Sequence, residues 1–177
     1  MNAPSASTAL AWSRPLIRLL MVLNLLYAVG VALMFVVSLV PGTVIWKAVG
    51  MEPFPAADRD SIILGLRLIM VVGICAAGVV DRVLRHLLAI VDTVRVGDPF
   101  AAANARRLEA IAWWVLAGEG LRLLIGAIAL ATTSRMPNLD LDIEYSLAPW
   151  LAVLLLFVLA RVFAEGARMR GDLEGTV

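Results

Sequence analysis

Four long apolar stretches alternate with polar segments along this chain of 177 residues. They run at about 16–40, 61–80, 111–132 and 147–164. A helix needs about 20 mostly apolar residues to cross the hydrocarbon core of a membrane. The pattern therefore predicts one all-α domain over residues 1–177, an integral membrane four-helix antiparallel bundle.

The helical pattern of the second span continues beyond its apolar stretch. From Asp81 to Val94, apolar residues recur at spacings of three and four positions, and charged residues occupy the opposite face. We therefore expect the second helix to extend into the cytoplasm as an amphipathic segment until Gly97 ends it.

Asp98 and Pro99 predict the start of the third helix, with Asp98 as its N-cap and Pro99 at its first helical position. The segment 81–110 then forms a hairpin between the second and third spans. After the fourth span, the segment 165–177 contains three glycines, which disfavour helix. We expect this segment to be a short polar tail.

Basic residues are distributed unequally between the two sides of the predicted membrane. The loops at 41–60 and 133–147 contain three, Lys47, Arg59 and Arg135. The side of the N-terminus, hairpin and tail has ten, which are Arg14, Arg18, Arg82, Arg85, Arg95, Arg106, Arg107, Arg161, Arg168 and Arg170. Because Lys and Arg accumulate in cytoplasmic segments, both termini and the hairpin are predicted to be cytoplasmic, an N-in/C-in topology.

Composition narrows the classes of function. Hydrophobic residues make up 62% of the chain and charged residues 16%, against about 45–50% and about 25% in soluble domains. The formal net charge of +1 argues against direct nucleic-acid binding, which needs a clustered excess of Lys and Arg. The single cysteine, Cys75, and the single histidine, His86, exclude an intramolecular disulfide, a Cys/His metal cluster and a His-centred catalytic triad. We expect a non-enzymatic protein without a cofactor.

Three charged residues lie away from the ends of the predicted spans: Arg67 in the second, and Glu119 and Arg122 in the third. A central Arg costs about 2.5–3.5 kcal/mol on membrane-insertion scales, so an unpaired one is disfavoured in the folded bundle. Glu119 and Arg122 share a helix face, where they can form an ion pair. The three residues indicate either a polar ion path, or a structural clamp with Arg67 reaching outward to the membrane surface. We favour the clamp, because transport usually also needs broken helices or repeated symmetry.

Two segments carry a resemblance to a known family. The segment Leu84 to Gly118 contains Thr93-Val94-Arg95-Val96-Gly97-Asp98-Pro99-Phe100, followed by Asn104 and Leu108. The end of the chain contains Phe163-Ala164-Glu165-Gly166 and then Asp172-Leu173-Glu174-Gly175-Thr176-Val177. With the four-span layout, these motifs resemble the bacterial membrane family called domain of unknown function 2975. The resemblance implies a small four-span protein of the bacterial inner membrane, often encoded beside a short helix-turn-helix transcription regulator.

The hairpin and tail offer a surface to such a partner, because an apolar stripe can receive an amphipathic helix or strand. The candidate residues are Val83, Leu87, Leu88, Val91 and Val94 on the stripe, Gly97, Asp98, Pro99 and Phe100 in the turn, and Asp172, Leu173, Glu174, Thr176 and Val177 in the tail. Packing of the stripe on lipid headgroups or on the returning arm of the hairpin is an equally good interpretation.

These observations lead to three hypotheses. The leading one is a binding or regulatory protein that presents its cytoplasmic hairpin and tail to a soluble partner such as a helix-turn-helix regulator. The alternatives are a small transporter or ion-coupled protein that uses Arg67, Glu119 and Arg122, and an accessory subunit of a larger membrane complex. All three leave the homo-oligomeric state open.

Overall fold

The computed structural model describes residues 6–40, 56–133 and 146–174. Within these ranges the chain forms four helices, α1 (Ala6–Ser38), α2 (Ala56–Arg95), α3 (Ala102–Thr133) and α4 (Ala148–Glu174). Each helix is long and apolar enough to cross a membrane. The prediction of an all-α chain with four such helices is confirmed for the described residues. Lys47 and Arg135, which were counted for the orientation, lie outside them.

The described helices leave many apolar side chains exposed. In its most apolar 18-residue stretch, α1 buries none of its residues, whereas α2 buries 28%. Leu26 and Leu33 of α1 and Leu155 of α4 are among the exposed large side chains. Contiguous apolar surface on this scale is typical of helices that face lipid or a partner.

The chain folds as two compact units. The first unit contains α1 up to Asn24, α2 from Val79, α3 up to Gly118, and α4. Its buried apolar residues are Ile17, Leu84, Ala105, Leu108, Ile111, Ala112, Val153 and Ala160. The second unit contains the remaining parts of α1, α2 and α3. Its buried apolar residues are Ile62, Val72 and Ala77.

Small residues allow helices to approach closely in the second unit. A Cβ added at Gly73 of α2 would lie 3.3 Å from the hydroxyl oxygen of Tyr27 in α1. A Cβ added at Gly65 of α2 would overlap with the side chain of Thr132 in α3. Glycine at these positions therefore permits the contacts of α2 with both neighbours.

Helix α2 ends at the turn that contains Gly97, as the sequence predicts. Gly97 has a φ of +93°, and its N–H donates to the carbonyl of Val94 at 3.1 Å. The N–H of Asp98 donates to the carbonyl of Thr93, also at 3.1 Å. These two hydrogen bonds form a Schellman motif, which satisfies carbonyl groups at the end of α2.

The prediction that α3 begins at Asp98 and Pro99 is wrong. α3 begins at Ala102, and a turn precedes it, in which the N–H of Ala101 donates to the carbonyl of Asp98 at 3.4 Å. Pro99 takes the second position of this turn, which suits its fixed φ. The carboxylate of Asp98 instead accepts a hydrogen bond from Arg170 of α4 at 2.7 Å.

The prediction of a short polar tail from residue 165 is also wrong, because α4 continues as a helix through Glu174. Gly166 lowers the local helix propensity, but it lies against the ring of Phe100. A Cβ added at Gly166 would come within 3.0 Å of that ring. The contact between Phe100 and α4 therefore explains both the glycine and the continued helix.

We expect Gly97→Ala and Gly171→Ala to change stability in opposite directions. Neither added Cβ would have a neighbour within 4 Å, so only the backbone conformation distinguishes them. Gly97→Ala should lower the free energy of unfolding by about 1–2 kcal/mol, because alanine is strained at positive φ. Gly171→Ala should raise it by about 0.5–1 kcal/mol, because alanine favours helix. Unfolding of both variants in detergent micelles measures the difference, and effects of equal sign would contradict the prediction.

Candidate functional site

The largest fully buried side chain among the described residues is polar. Asn104, the third residue of α3, has no exposed surface. Its Nδ2 donates to the carbonyl of Pro99 at 3.0 Å. Its Oδ1 accepts hydrogen bonds from the Thr93 hydroxyl at 2.8 Å and from Nη1 of Arg107 at 2.9 Å. Asn104 therefore links the end of α2, the turn and the first two turns of α3.

The two donors to Asn104 are also bound to the backbone of α2. The Thr93 Oγ1 lies 2.8 Å from the carbonyl oxygen of Ile90, so its single hydrogen serves either that carbonyl or Asn104 at one time. Nη1 of Arg107 also donates to the carbonyl of Ala89 at 3.1 Å. The network therefore fixes α3 against α2 through main-chain atoms as well as side chains.

The turn between α2 and α3 packs against α4. The ring of Phe100 lies 5.5 Å from that of Phe163, centroid to centroid, at a tilt of 38°. The carboxylate of Asp98 forms an ion pair with Arg170. A second ring contact, between Trp113 of α3 and Phe157 of α4 at 5.3 Å, joins the same helices further along. Phe100 is thus partly covered by α4, although 44% of its surface is exposed.

The apolar stripe predicted on α2 is only partly exposed. Val83, Leu88, Val91 and Val94 are half-buried, whereas Leu87 is exposed. Leu84, which belongs to the same helical pattern, is buried. The stripe therefore already packs within the first unit over much of its area.

The residues of the predicted tail are only partly described. Asp172 is exposed, and Leu173 and Glu174 belong to the last turn of α4. Thr176 and Val177 lie outside the described residues.

Sequence reasoning missed the most exposed apolar side chain of the turn. Val96, between the last residue of α2 and Gly97, is 86% exposed. The signal that could have found it is its position directly before Gly97, the C′ residue that ends α2. The turn therefore presents an ordered apolar side chain to its surroundings.

The start of α1 is attached to the extension of α2 by an ion pair. Nε of Arg14 donates to Oδ1 of Asp92 at 2.5 Å. This hydrogen bond holds the pKa of Asp92 below its usual value, and the positive charges of Arg18 and Arg95 act in the same direction. The carboxylate of Asp92 is therefore bound by one guanidinium group and feels the charge of two more.

Of the three charged residues predicted inside spans, the structure brings two together. In the second unit, Nη2 and Nε of Arg122 donate to the two oxygens of Glu119 at 2.6 and 2.9 Å. The Glu119 side chain is 4% exposed and that of Arg122 is 42% exposed. This bidentate geometry is the strong form of a carboxylate–guanidinium pair.

Arg67 does not join that pair. Its Nη2 donates to the carbonyl of Ser38, at the end of α1, and no ion pair links Arg67 to Glu119 among the described residues. A cation is stabilised at a helix C-terminus by the free carbonyl groups and the helix dipole. Arg67 therefore joins α2 to the end of α1.

Within the described ranges, no group of three His, Cys, Asp or Glu side chains is placed to hold a metal ion. No family model, no curated protein and no solved structure matches the chain.

We expect Asn104→Leu to lower the free energy of unfolding by about 2–4 kcal/mol, because it leaves the Pro99 carbonyl and the Arg107 guanidinium without their buried partner. Thr93→Val is the matched control, since it removes one donor to Asn104 while Arg107 remains. It should cost about 1 kcal/mol. Denaturant unfolding in detergent measures both values. A loss for Asn104→Leu no larger than that for Thr93→Val would show that the amide does not organise the turn.

The Glu119–Arg122 pair predicts an asymmetric response. Arg122→Gln should lower the free energy of unfolding by about 3 kcal/mol, because it leaves a buried carboxylate unpaired. Glu119→Gln should lower it by about 1–2 kcal/mol, because the remaining guanidinium is partly exposed. The double variant should lose less than the sum of the two, with a coupling of about 1–3 kcal/mol. Unchanged stability of Glu119→Gln together with altered ion flux into vesicles would instead favour the ion path.

Proposed function

We propose that this chain is a multi-pass protein of the bacterial inner membrane with both termini in the cytoplasm, and that it is a non-enzymatic binding or regulatory protein. Its four long apolar helices support the membrane assignment. In this proposal the α2–α3 turn and the end of α4 face a soluble cytoplasmic partner. The ten basic residues on the side of the turn support that orientation.

One observation carries the binding role. The turn is held by the fully buried Asn104 and contacts α4 through Phe100 and Asp98, yet it leaves Val96 almost fully exposed. An apolar side chain on an ordered segment loses little conformational entropy when it binds. The turn is therefore better suited to recognition than a flexible loop of the same composition.

The chemistry of this surface fits an amphipathic helix of a protein partner. Val96 supplies an exposed apolar contact, and Arg95, the residue directly before it, supplies an exposed positive charge. A partner helix with an apolar face bordered by acidic residues would complement both features. The resemblance to the domain of unknown function 2975 family makes a small helix-turn-helix regulator the partner to test first.

The geometry of the Glu119–Arg122 pair does not favour the transport alternative. Both oxygens of Glu119 are bound by Arg122, so the carboxylate is already neutralised within its own helix. We therefore propose that the pair has a structural role. An accessory subunit of a larger complex remains an outcome of the experiment below.

We expect a photocrosslinking amino acid at position 96 to capture a small cytoplasmic protein in intact cells, with the product identified by mass spectrometry. Val96→Asp should abolish co-purification of that protein with the full chain without changing unfolding, because the Val96 side chain is exposed. Met169→Asp is the matched control, since Met169 is an exposed apolar residue of α4. Co-purification that persists in Val96→Asp and in a chain lacking Asp172 to Val177 would contradict the proposal. Capture of large membrane subunits would support the accessory role.

A further inference from the structure

A groove at the start of α1 joins basic and apolar side chains. It has a volume of about 580 Å³ and is lined by Arg14, Pro15, Arg18, Leu19, Val22 and Arg95. All of these residues belong to the first unit. The volume lies within the range of about 300–1,000 Å³ that is usual for small-molecule sites.

The charge of the groove is unbalanced. Three arginines line the groove, and one of them, Arg14, is paired with the carboxylate of Asp92. Arg18 and Arg95 are both exposed and act on Asp92 only through their charge. The groove therefore has two guanidinium groups in excess, and guanidinium groups bind phosphate oxygens with good geometry.

The apolar part of the groove points to the source of that phosphate. Leu19 and Val22 are each 54% exposed, and they begin the apolar face of α1 that continues through Leu23 and Leu26. A free phosphate would make no contact with this apolar face, whereas the acyl chain of a lipid would pack along it. A basic pocket at the cytoplasmic end of membrane helices is a common form of headgroup site.

We propose that this groove binds one anionic phospholipid, with its phosphate between Arg18 and Arg95 and an acyl chain along Leu19 and Val22. The inference rests on the membrane placement in the proposed function, but not on the protein partner. Arg14 is not part of the proposed phosphate site, because its ion pair with Asp92 holds α1 to α2.

Native mass spectrometry of the detergent-solubilised full chain tests the site. With phosphatidylglycerol and phosphatidylethanolamine added at equal concentration, we expect one phosphatidylglycerol to be retained preferentially. The double variant Arg18→Gln/Arg95→Gln should weaken its binding by about tenfold to thirtyfold. The matched control Arg85→Gln/Arg168→Gln removes the same charge from exposed positions of the same unit outside the groove. It should retain the lipid.

Three outcomes would overturn the proposal. Equal weakening by the control pair would show attraction to surface charge alone. Displacement of the lipid by millimolar inorganic phosphate or glycerol 3-phosphate would show a free-phosphate site. Normal binding by Arg18→Gln/Arg95→Gln would place the lipid elsewhere.

Additional measurements distinguish failure of this lipid site from misfolding of the chain and from failure of the proposed function. Arg18→Lys/Arg95→Lys keeps the charge, so it should bind more lipid than the glutamine pair. A lack of this rescue would contradict the role of the two cations. Carbonate extraction of cell membranes tests membrane insertion itself, and partner capture at position 96 is measured separately. Absence of a lipid preference in the unsubstituted chain, when that chain inserts and captures its partner, would overturn this inference alone.

Discussion

One buried amide determines how the chain reverses between α2 and α3. Asn104 has no access to solvent, so each of its polar atoms must find a partner inside the protein. Its Oδ1 faces a hydroxyl and a guanidinium, and its Nδ2 faces a carbonyl. The opposite orientation of the amide would set its NH2 group against Arg107. The position of the turn, and with it the contacts of Asp98 and Phe100 with α4, follows from this single arrangement.

The ion pairs of the first unit contribute less to stability than this amide. The pairs Arg14–Asp92 and Arg170–Asp98 have side chains that are 38–50% exposed, and exposed pairs are worth about 0–1 kcal/mol. Their effect is to select which helix faces meet, because a mismatched register would bring unpaired charges together. Stability comes instead from apolar contacts such as those of Phe100 with Phe163 and of Trp113 with Phe157.

The sequence predicted features that depend on local chemistry. Long apolar stretches define the helices, and Gly97 ends α2, because hydrophobic length and positive φ are properties of neighbouring residues. The start of α3 and the length of α4 depend on distant partners. The sequence around Asp98 is typical of an N-cap, but in the structure its carboxylate binds Arg170. Gly166 disfavours helix by itself, but in the structure it packs against the ring of Phe100.

The candidate site follows the same rule. The Glu119–Arg122 pair could be predicted from its spacing on one helix. The partner of Arg67 could not, because it is a main-chain carbonyl at Ser38, and any helix end offers such carbonyl groups. Asn104 and Arg107 were visible as residues, but their role depends on Thr93 and Ala89, which another helix supplies.

The proposed lipid site and the proposed partner site adjoin at the peptide bond between Arg95 and Val96. Arg95 lines the groove and is the last residue of α2, and Val96 is the exposed residue that follows it. The Schellman motif fixes the backbone of both residues together, because its hydrogen bonds span Thr93 to Asp98. A phosphate bound to Arg95 would therefore restrain the segment that carries Val96. By thermodynamic linkage, any effect of lipid on partner affinity must equal the effect of the partner on lipid affinity. Under the two proposals, Arg95 is therefore the residue that would connect lipid binding to partner binding.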